Sequence, residues 1–196
     1  MNIIKIRGFL FFVLVWGSFS AAQAQEGSCM IYGSLTYKDS NTSGSSFGAN
    51  PIGLGYFFND HVVAGMNFAF NKEKNGFGSR TVSNYEVGPF YSDSWKIGEY
   101  FVLIAQLDAH YVWGEALMNT INAYGYDGYL ARVYPIVAVT LGNGWALKAK
   151  FCELSYTQTV GQDSNRTRNK TFIAGVNGST FGLGVSKNIS FKKNIE

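Results

Sequence analysis

From Ser28 onward, apolar positions alternate with polar or small ones at period two, and they do not recur at the three-and-four spacing of an amphipathic helix. The alternating stretches run to about ten residues. Soluble sandwiches use about five or six per strand, whereas a strand that crosses a bilayer at a tilt needs about nine to eleven. Strands are expected near 28–38, 48–58, 61–72, 80–91, 99–112, 127–140, 145–156 and 178–191.

Each stretch separates into two faces. Phe101, Leu103, Ala105, Leu107, Ala109 and Tyr111 fall on one side of the fifth strand, and Gln106, Asp108 and His110 on the other. The eighth sets Phe181, Leu183, Val185, Ile189 and Phe191 against Gly182, Gly184, Ser186, Asn188 and Ser190, and the seventh sets Leu147, Ala149 and Phe151 against Lys148, Lys150 and Cys152. Lys187 alone spoils the apolar side of the eighth; it lies near a strand end, where a long side chain snorkels to an interface.

The connections alternate in length. Asn59-Asp60, the segment 92–98 and Leu141-Gly142-Asn143-Gly144 are short, while 39–47, 72–79, 113–126 and 157–177 are longer. An even strand count with tight turns on one rim and long loops on the other is the signature of a bacterial outer-membrane barrel. The fold class expected is therefore all-β, an eight-stranded antiparallel up-and-down transmembrane β-barrel. Alternation alone does not tell inside from outside, so a soluble lipocalin-type barrel with the faces reversed is the competing architecture.

Composition sharpens the choice. Hydrophobic residues make up 46% of the 196 positions and charged ones 15%, well under the roughly 25% of ordinary globular chains. Aromatics, at 16%, cluster towards the strand ends: Tyr56, Phe57, Phe58, Phe90, Tyr91, Trp95, Tyr100, Trp145 and Phe191 at one, and Tyr37, Phe70, Tyr111, Trp113, Tyr126, Tyr129 and Tyr156 at the other. Two aromatic clusters with an aliphatic band between them fit two membrane interfaces.

Residues 1–24 have the form of a cleaved secretory leader: a basic head with Lys5 and Arg7, an apolar run from Gly8 to Trp16, and Ala22-Gln23-Ala24 as the cleavage site. A single barrel domain over 25–196 follows. Removing Lys5 and Arg7 from the 16 basic residues leaves 14 against 13 acids, so a nucleic-acid role has no electrostatic footprint. Cys29 and Cys152 are too few for a disulfide framework and are expected as free thiols within strands.

Pro51-Ile52-Gly53-Leu54-Gly55-Tyr56-Phe57, Asn59-Asp60, Val63-Ala64-Gly65, Gly88-Pro89-Phe90 and Phe181-Gly182-Leu183-Gly184-Val185 resemble the small outer-membrane β-barrel proteins of Gram-negative bacteria. These are the relatives of OmpX and of the OmpA membrane domain, also grouped as porin-family proteins. The resemblance spans the mature chain and implies architecture more than activity. It also implies an aromatic near the C-terminus that is read by the barrel-assembly machinery; Phe191 takes that role here, with Lys192-Lys193-Asn194-Ile195-Glu196 following it.

An eight-stranded barrel is just wide enough for side chains to fill. The inward set expected is Glu86, Gln106, Asp108, His110, Arg132, Lys148 and Lys150, forming a salt-bridged plug in which Glu86 and Asp108 compensate Arg132 and one or both lysines. The alternative is a narrow ion path lined by the same groups. Arg166, Arg168 and Lys170 make the fourth long loop the most basic external element, suited to lipopolysaccharide phosphates or other surface contact, although such a run is also compatible with simple solvation.

Catalytic and metal motifs are weak. Gly44-Ser45-Ser46-Phe47-Gly48 matches G-x-S-x-G, but a nucleophile elbow needs a strand-to-helix turn over a parallel sheet. Asp39 to Gly44 imitates an EF-hand opening, yet the twelfth position is Asn50 and not a bidentate Glu. His61 and His110 sit at opposite ends of the strand map and cannot share a metal. The expected role is that of an integral outer-membrane barrel, structural or adhesive through its external loops, and not an enzyme. A small solute pore is the alternative, and a lipid-modifying enzyme using Asp108 and His110 is a minor one. No cofactor is expected. The partners expected are outer-membrane lipids, lipopolysaccharide and the assembly machinery, with the barrel itself monomeric.

Overall fold

Period-two alternation satisfies side chains on two faces but leaves backbone groups at each strand edge. In this chain pairing of the first strand with the last closes the sheet at the end that carries the tight turns, while Arg168–Gly175 and the first strand beyond Gly33 are each paired on one side among the described residues. The computed structural model describes residues 26–40, 44–74, 80–118, 122–162, 166–175 and 182–190; the leader expected at 1–24 and Phe191 lie outside them. Ten strand segments follow in order: β1 (Cys29–Ser40), β2 (Gly44–Phe57), β3 (Val62–Lys74), β4 (Arg80–Lys96), β5 (Phe101–Met118), β6 (Asn122–Gly142), β7 (Trp145–Lys150), β8 (Glu153–Gly161), β9 (Arg168–Gly175) and β10 (Gly182–Ile189). β1 to β6 pair antiparallel in sequence order. β7 and β8 both pair with β6, while β10 pairs with β7 and β9 with β8. These four segments are two strands in two pieces each, and the β1–β10 ladder closes an eight-stranded up-and-down barrel.

The chain's three prolines mark where the ladders falter. Pro51 sits in the register shift between Ala49 and Ile52, and Pro89 in the gap between Val87 and Phe90 in the pairing of β4 with β5. Pro135 lies where β6 leaves β8 at Val133 and takes up β7 at Ile136. A residue without an N–H cannot complete a two-sided ladder, so bulges and breaks gather at these positions.

The tight turns share one end. Asn59 Oδ1 accepts from the backbone N–H groups of His61 (3.0 Å) and Val62 (2.7 Å). Asn143 and Gly144, with φ of 49° and 76°, form the two-residue Asn-Gly hairpin loop that matches strand twist. Beside it Lys187 donates to the Asn143 carbonyl and lies 5.1 Å from the Trp145 ring centroid, so its charge reaches the turn rim as a snorkelling side chain should.

Four expectations are corrected. The segment 113–126 is not a long loop: β5 and β6 stay paired as far as Met118 and Asn122. The segment 157–177 is also largely strand, with β8 running to Gly161 and returning as β9, so that Arg168 and Lys170 belong to a ladder and Arg166 precedes it with φ of 43°. Beyond the apolar zone neither face needs to be hydrophobic, so the alternation that betrays a strand fades while its hydrogen bonds persist. The segment 92–98 is strand up to Lys96, and the turn falls at 97–100, closed by Ile97 N–H to Phe101 O at 2.9 Å. Cys29 lies in β1 as expected, but Cys152 falls in the break between β7 and β8; both are free. Ser46 is inside β2, opposite Lys38, where no elbow can form.

Candidate functional site

Alternation fixes what enters the barrel. Along β5, Ile104, Gln106, Asp108, His110 and Val112 are buried, while Leu107 and Tyr111 are exposed. The same parity turns Asn67 of β3, Arg132 and Tyr134 of β6, Tyr32 of β1 and Lys148 of β7 inward. Phe57 and Phe90, expected at an interface, also point in, as does Tyr126, whose hydroxyl bonds Asn84.

Asp108, with 0% exposure, is the hub. Its carboxylate accepts from Arg132 Nε (2.8 Å), the Tyr134 hydroxyl (2.9 Å), Gln106 Nε2 (2.9 Å) and Asn67 Nδ2 (3.3 Å). Gln106 Nε2 also lies 3.1 Å from the Tyr32 hydroxyl and 2.7 Å from that of Tyr134. Such saturation is what a carboxylate removed from water requires. One layer towards the long hairpins, Glu86 Oε2 receives Arg132 Nη1 at 3.1 Å and stands 3.2 Å from His110 Nδ1. Arg132 thus bridges two carboxylates on β4 and β5, a use suited to a guanidinium with several rigid donors.

The lysines depart from expectation. Lys150 pairs with Glu153 (2.8 Å), a residue absent from the expected set, across the break between β7 and β8, and its Nζ stands 4.8 Å from the Tyr134 ring centroid. Lys148 has no carboxylate within 4.0 Å among the described residues. Its Nζ rests 3.1 Å from Met30 Sδ and 4.9 Å from the Tyr32 ring centroid, so a thioether and a π face stand in for an ion pair. Glu86 and Asp108 therefore compensate Arg132 and neither lysine directly.

Room for this packing comes from glycine. A Cβ at Gly53 would lie 2.3 Å from the Tyr32 ring, and one at Gly88 would lie 2.1 Å from the Ala109 carbonyl and 2.7 Å from the Cα of His110. Below the polar layer, towards the tight turns, Met30, Tyr32, Phe57, Val63 and Phe90 form one buried apolar cluster, and Ile104, Tyr134, Ile136 and Ala138 another. The interior is thus stratified, polar at mid-height and apolar at the turn end.

The His110 ring is buried, with Asn67 Oδ1 3.4 Å and Asp108 Oδ2 3.9 Å from Nε2, and among the described residues no serine hydroxyl is given as its hydrogen-bond partner. The other histidine, His61, is exposed at the turn end and bonds Asp93 at 2.8 Å.

The outward face completes the geometry. Ring contacts run across five adjacent strands: Phe47 to Phe70 (6.5 Å), Phe70 to Tyr85 (5.2 Å), Tyr85 to Trp113 (5.4 Å), Trp113 to Tyr111 (5.7 Å) and Tyr111 to Tyr129 (5.8 Å). Exposed Tyr156 and Phe172 continue the belt on β8 and β9.

No protein-family model matches the chain, and no curated protein matches it by sequence. Among solved structures it is similar to a major outer membrane protein from Thermus thermophilus, with a TM-score of 0.51 over 84% of this chain and 100% of that one, at 9% identity. That likeness places the chain in the class of closed antiparallel barrels and speaks for the fold alone.

Proposed function

We propose that the chain is an integral outer-membrane barrel, exported by the leader at 1–24, with a filled interior and a structural or adhesive role carried by its outward and external surfaces. The observation that carries this reading is the inversion of polarity. Leu54, Leu107 and Leu183 are 57%, 51% and 56% exposed, while Gln106 and Asp108 are 1% and 0% exposed. A lipocalin-type barrel in water would bury the first set and expose the second. The barrel fold of the Thermus protein, the aromatic belt and the resemblance to OmpX- and OmpA-type segments support the same location. Closure of the ring through the β1–β10 ladder supports a monomer.

The strands support the surface role. β5 and β6 have 18 and 21 residues against the roughly nine to eleven that cross a membrane, so their paired ends project past the belt as a stiff external hairpin. Extraction from the outer-membrane fraction followed by an unheated gel tests the reading: a compact, heat-modifiable band is expected, and recovery as a soluble periplasmic protein overturns it. The pore alternative draws on Glu86, whose side chain keeps 26% exposure beside Arg132 at the outer side of the polar layer. For the lipid-modifying alternative, release of acyl chains from labelled lipopolysaccharide is the deciding measurement; none is expected.

A further inference from the structure

We propose that the outward wall just beyond the aromatic belt binds the phosphate groups of an outer-leaflet glycolipid, through Lys72 and Lys74 of β3 and Arg168 and Lys170 of β9. The proposal rests on the outer-membrane reading and gives that surface a ligand.

Parity sets the four side chains. On β3, Asn67 and Ala69 are buried and Met66 and Phe68 exposed, so the even-numbered positions face outward and continue through Phe70 to Lys72 and Lys74. Asn71 and Glu73 bond each other on the opposite face, at 2.9 Å. On β9, Phe172 lies opposite Tyr156, Lys170 opposite Gln158 and Arg168 opposite Val160, all in register with the outward side of β8, while Ser155 of β8 is buried. On both strands the order from the apolar wall outward is aromatic ring, first cation, second cation. A bilayer leaflet presents the same order in acyl chain, ring-anchoring interface and charged headgroup.

These cations are uncommitted within the barrel wall. All four are exposed, and among the described residues none has a carboxylate within 4.0 Å. Three acids in register with these cations stand two strands away: Glu115 is separated from Lys72 by Ser83, Asp39 from Lys74 by Ser45, and Asp127 from Arg168 by Val160. At about 4.8 Å per strand that is roughly 10 Å, near the Debye length, so the acids do not cancel the cations locally. Between β3 and the strand that comprises β9 and β10 run β1 and β2; there Leu35, Ile52 and Leu54, with Leu183 and Val185 of β10, give exposed aliphatic wall for acyl chains. Apolar wall, aromatic belt and paired cations together fit an amphiphile with anionic phosphates better than a soluble anion.

The test uses the mature protein reconstituted in phosphatidylcholine vesicles doped with a glycolipid carrying two phosphates, with the same glycolipid after dephosphorylation, or with inorganic phosphate alone. Glycolipid co-purifying with the protein after detergent extraction is the readout. Retention of the phosphorylated form is expected to exceed that of the dephosphorylated form by about tenfold, and to collapse at high salt or when Lys72, Lys74, Arg168 and Lys170 are all changed to Gln. Changing the three lysines to Arg should keep it, which separates charge loss from misfolding. Equal retention of both glycolipids, an undiminished level in the Gln variant, or displacement by equimolar inorganic phosphate overturns the proposal. Absence of a compact unheated band in the vesicles overturns the outer-membrane reading itself, and the proposal with it.

Discussion

At the scale of single residues, the interior is organised by one carboxylate. Asp108 takes hydrogen bonds from Arg132, Tyr134, Gln106 and Asn67 in a site with no solvent to replace them. Asp108→Ala therefore leaves Arg132 buried with Glu86 as its one carboxylate within 4.0 Å among the described residues and takes the acceptor from the Tyr134 hydroxyl and the Asn67 amide; a loss of about 3–5 kcal/mol is expected, read as a lower urea midpoint of the compact band. Gly53→Val tests the packing beneath it. Its Cβ would meet the Tyr32 ring at 2.3 Å, so a loss of about 1–3 kcal/mol is expected, relieved when Tyr32→Ala is added. Parity along single strands suffices to find Asp108, His110, Arg132 and the two lysines in the sequence. It does not find Tyr32, Tyr134, Asn67 or Glu153, because their roles depend on which positions of distant strands meet across the lumen. Tyr32 and Gln106 are 74 positions apart, and neither residue's neighbours in sequence carry that information. Glu153 is concealed further by the break after β7, which shifts the face its strand presents.

At the scale of elements, periodicity is informative where lipid imposes it and silent where water takes over. The strand cores are legible from Phe101–Tyr111 or Leu147–Phe151, since on the outer-membrane reading proposed above their outward positions must be apolar. Past Trp113, Gly114, Glu115, Gly125 and Asp127 look like loop residues, yet they are paired rungs. β5 is flanked on both sides there, by β4 as far as Arg80 and by β6 as far as Asn122, so its amides have partners on either hand. Hydrogen exchange provides the check: the amides of Gly114 to Leu117 are expected to exchange at least about tenfold more slowly than unstructured peptide, and coil-like rates would return the segment to a loop. The basic stretch follows the same logic. Arg168 and Lys170 read as a solvated run in the sequence, and it is their seat on a ladder, beyond Phe172 and Tyr156, that brings them to the surface proposed above to meet phosphate groups.

At the scale of the whole molecule, two layers of different chemistry lie in series along the interior, and on the filled-scaffold reading proposed above their order makes conduction a discriminating experiment. The mid-height layer is polar, knitted by Asp108, Arg132, Glu86 and Gln106; the layer at the turn end is apolar, with Phe57 and Phe90 buried against Met30 and Val63. An ion that passed the first by exchanging partners with its charged groups would then meet a mainly apolar layer with few groups to replace its hydration, and a cation would also meet the buried Lys148 ammonium beside Met30, at a cost of several kcal/mol or more. Purified protein in planar bilayers is therefore expected to show no steady conductance. Removing the polar layer alone, by Asp108→Ala with Arg132→Ala, should leave the current at baseline despite the lost stability, because the apolar layer still stands. Adding Phe57→Ala and Phe90→Ala should open a measurable path. A steady current through the unaltered protein would mean that the polar layer is a selectivity lining and the apolar layer yields, and the pore reading would replace that of a filled scaffold. A current in the double variant, with the parent silent, would instead locate the whole seal at Asp108 and Arg132.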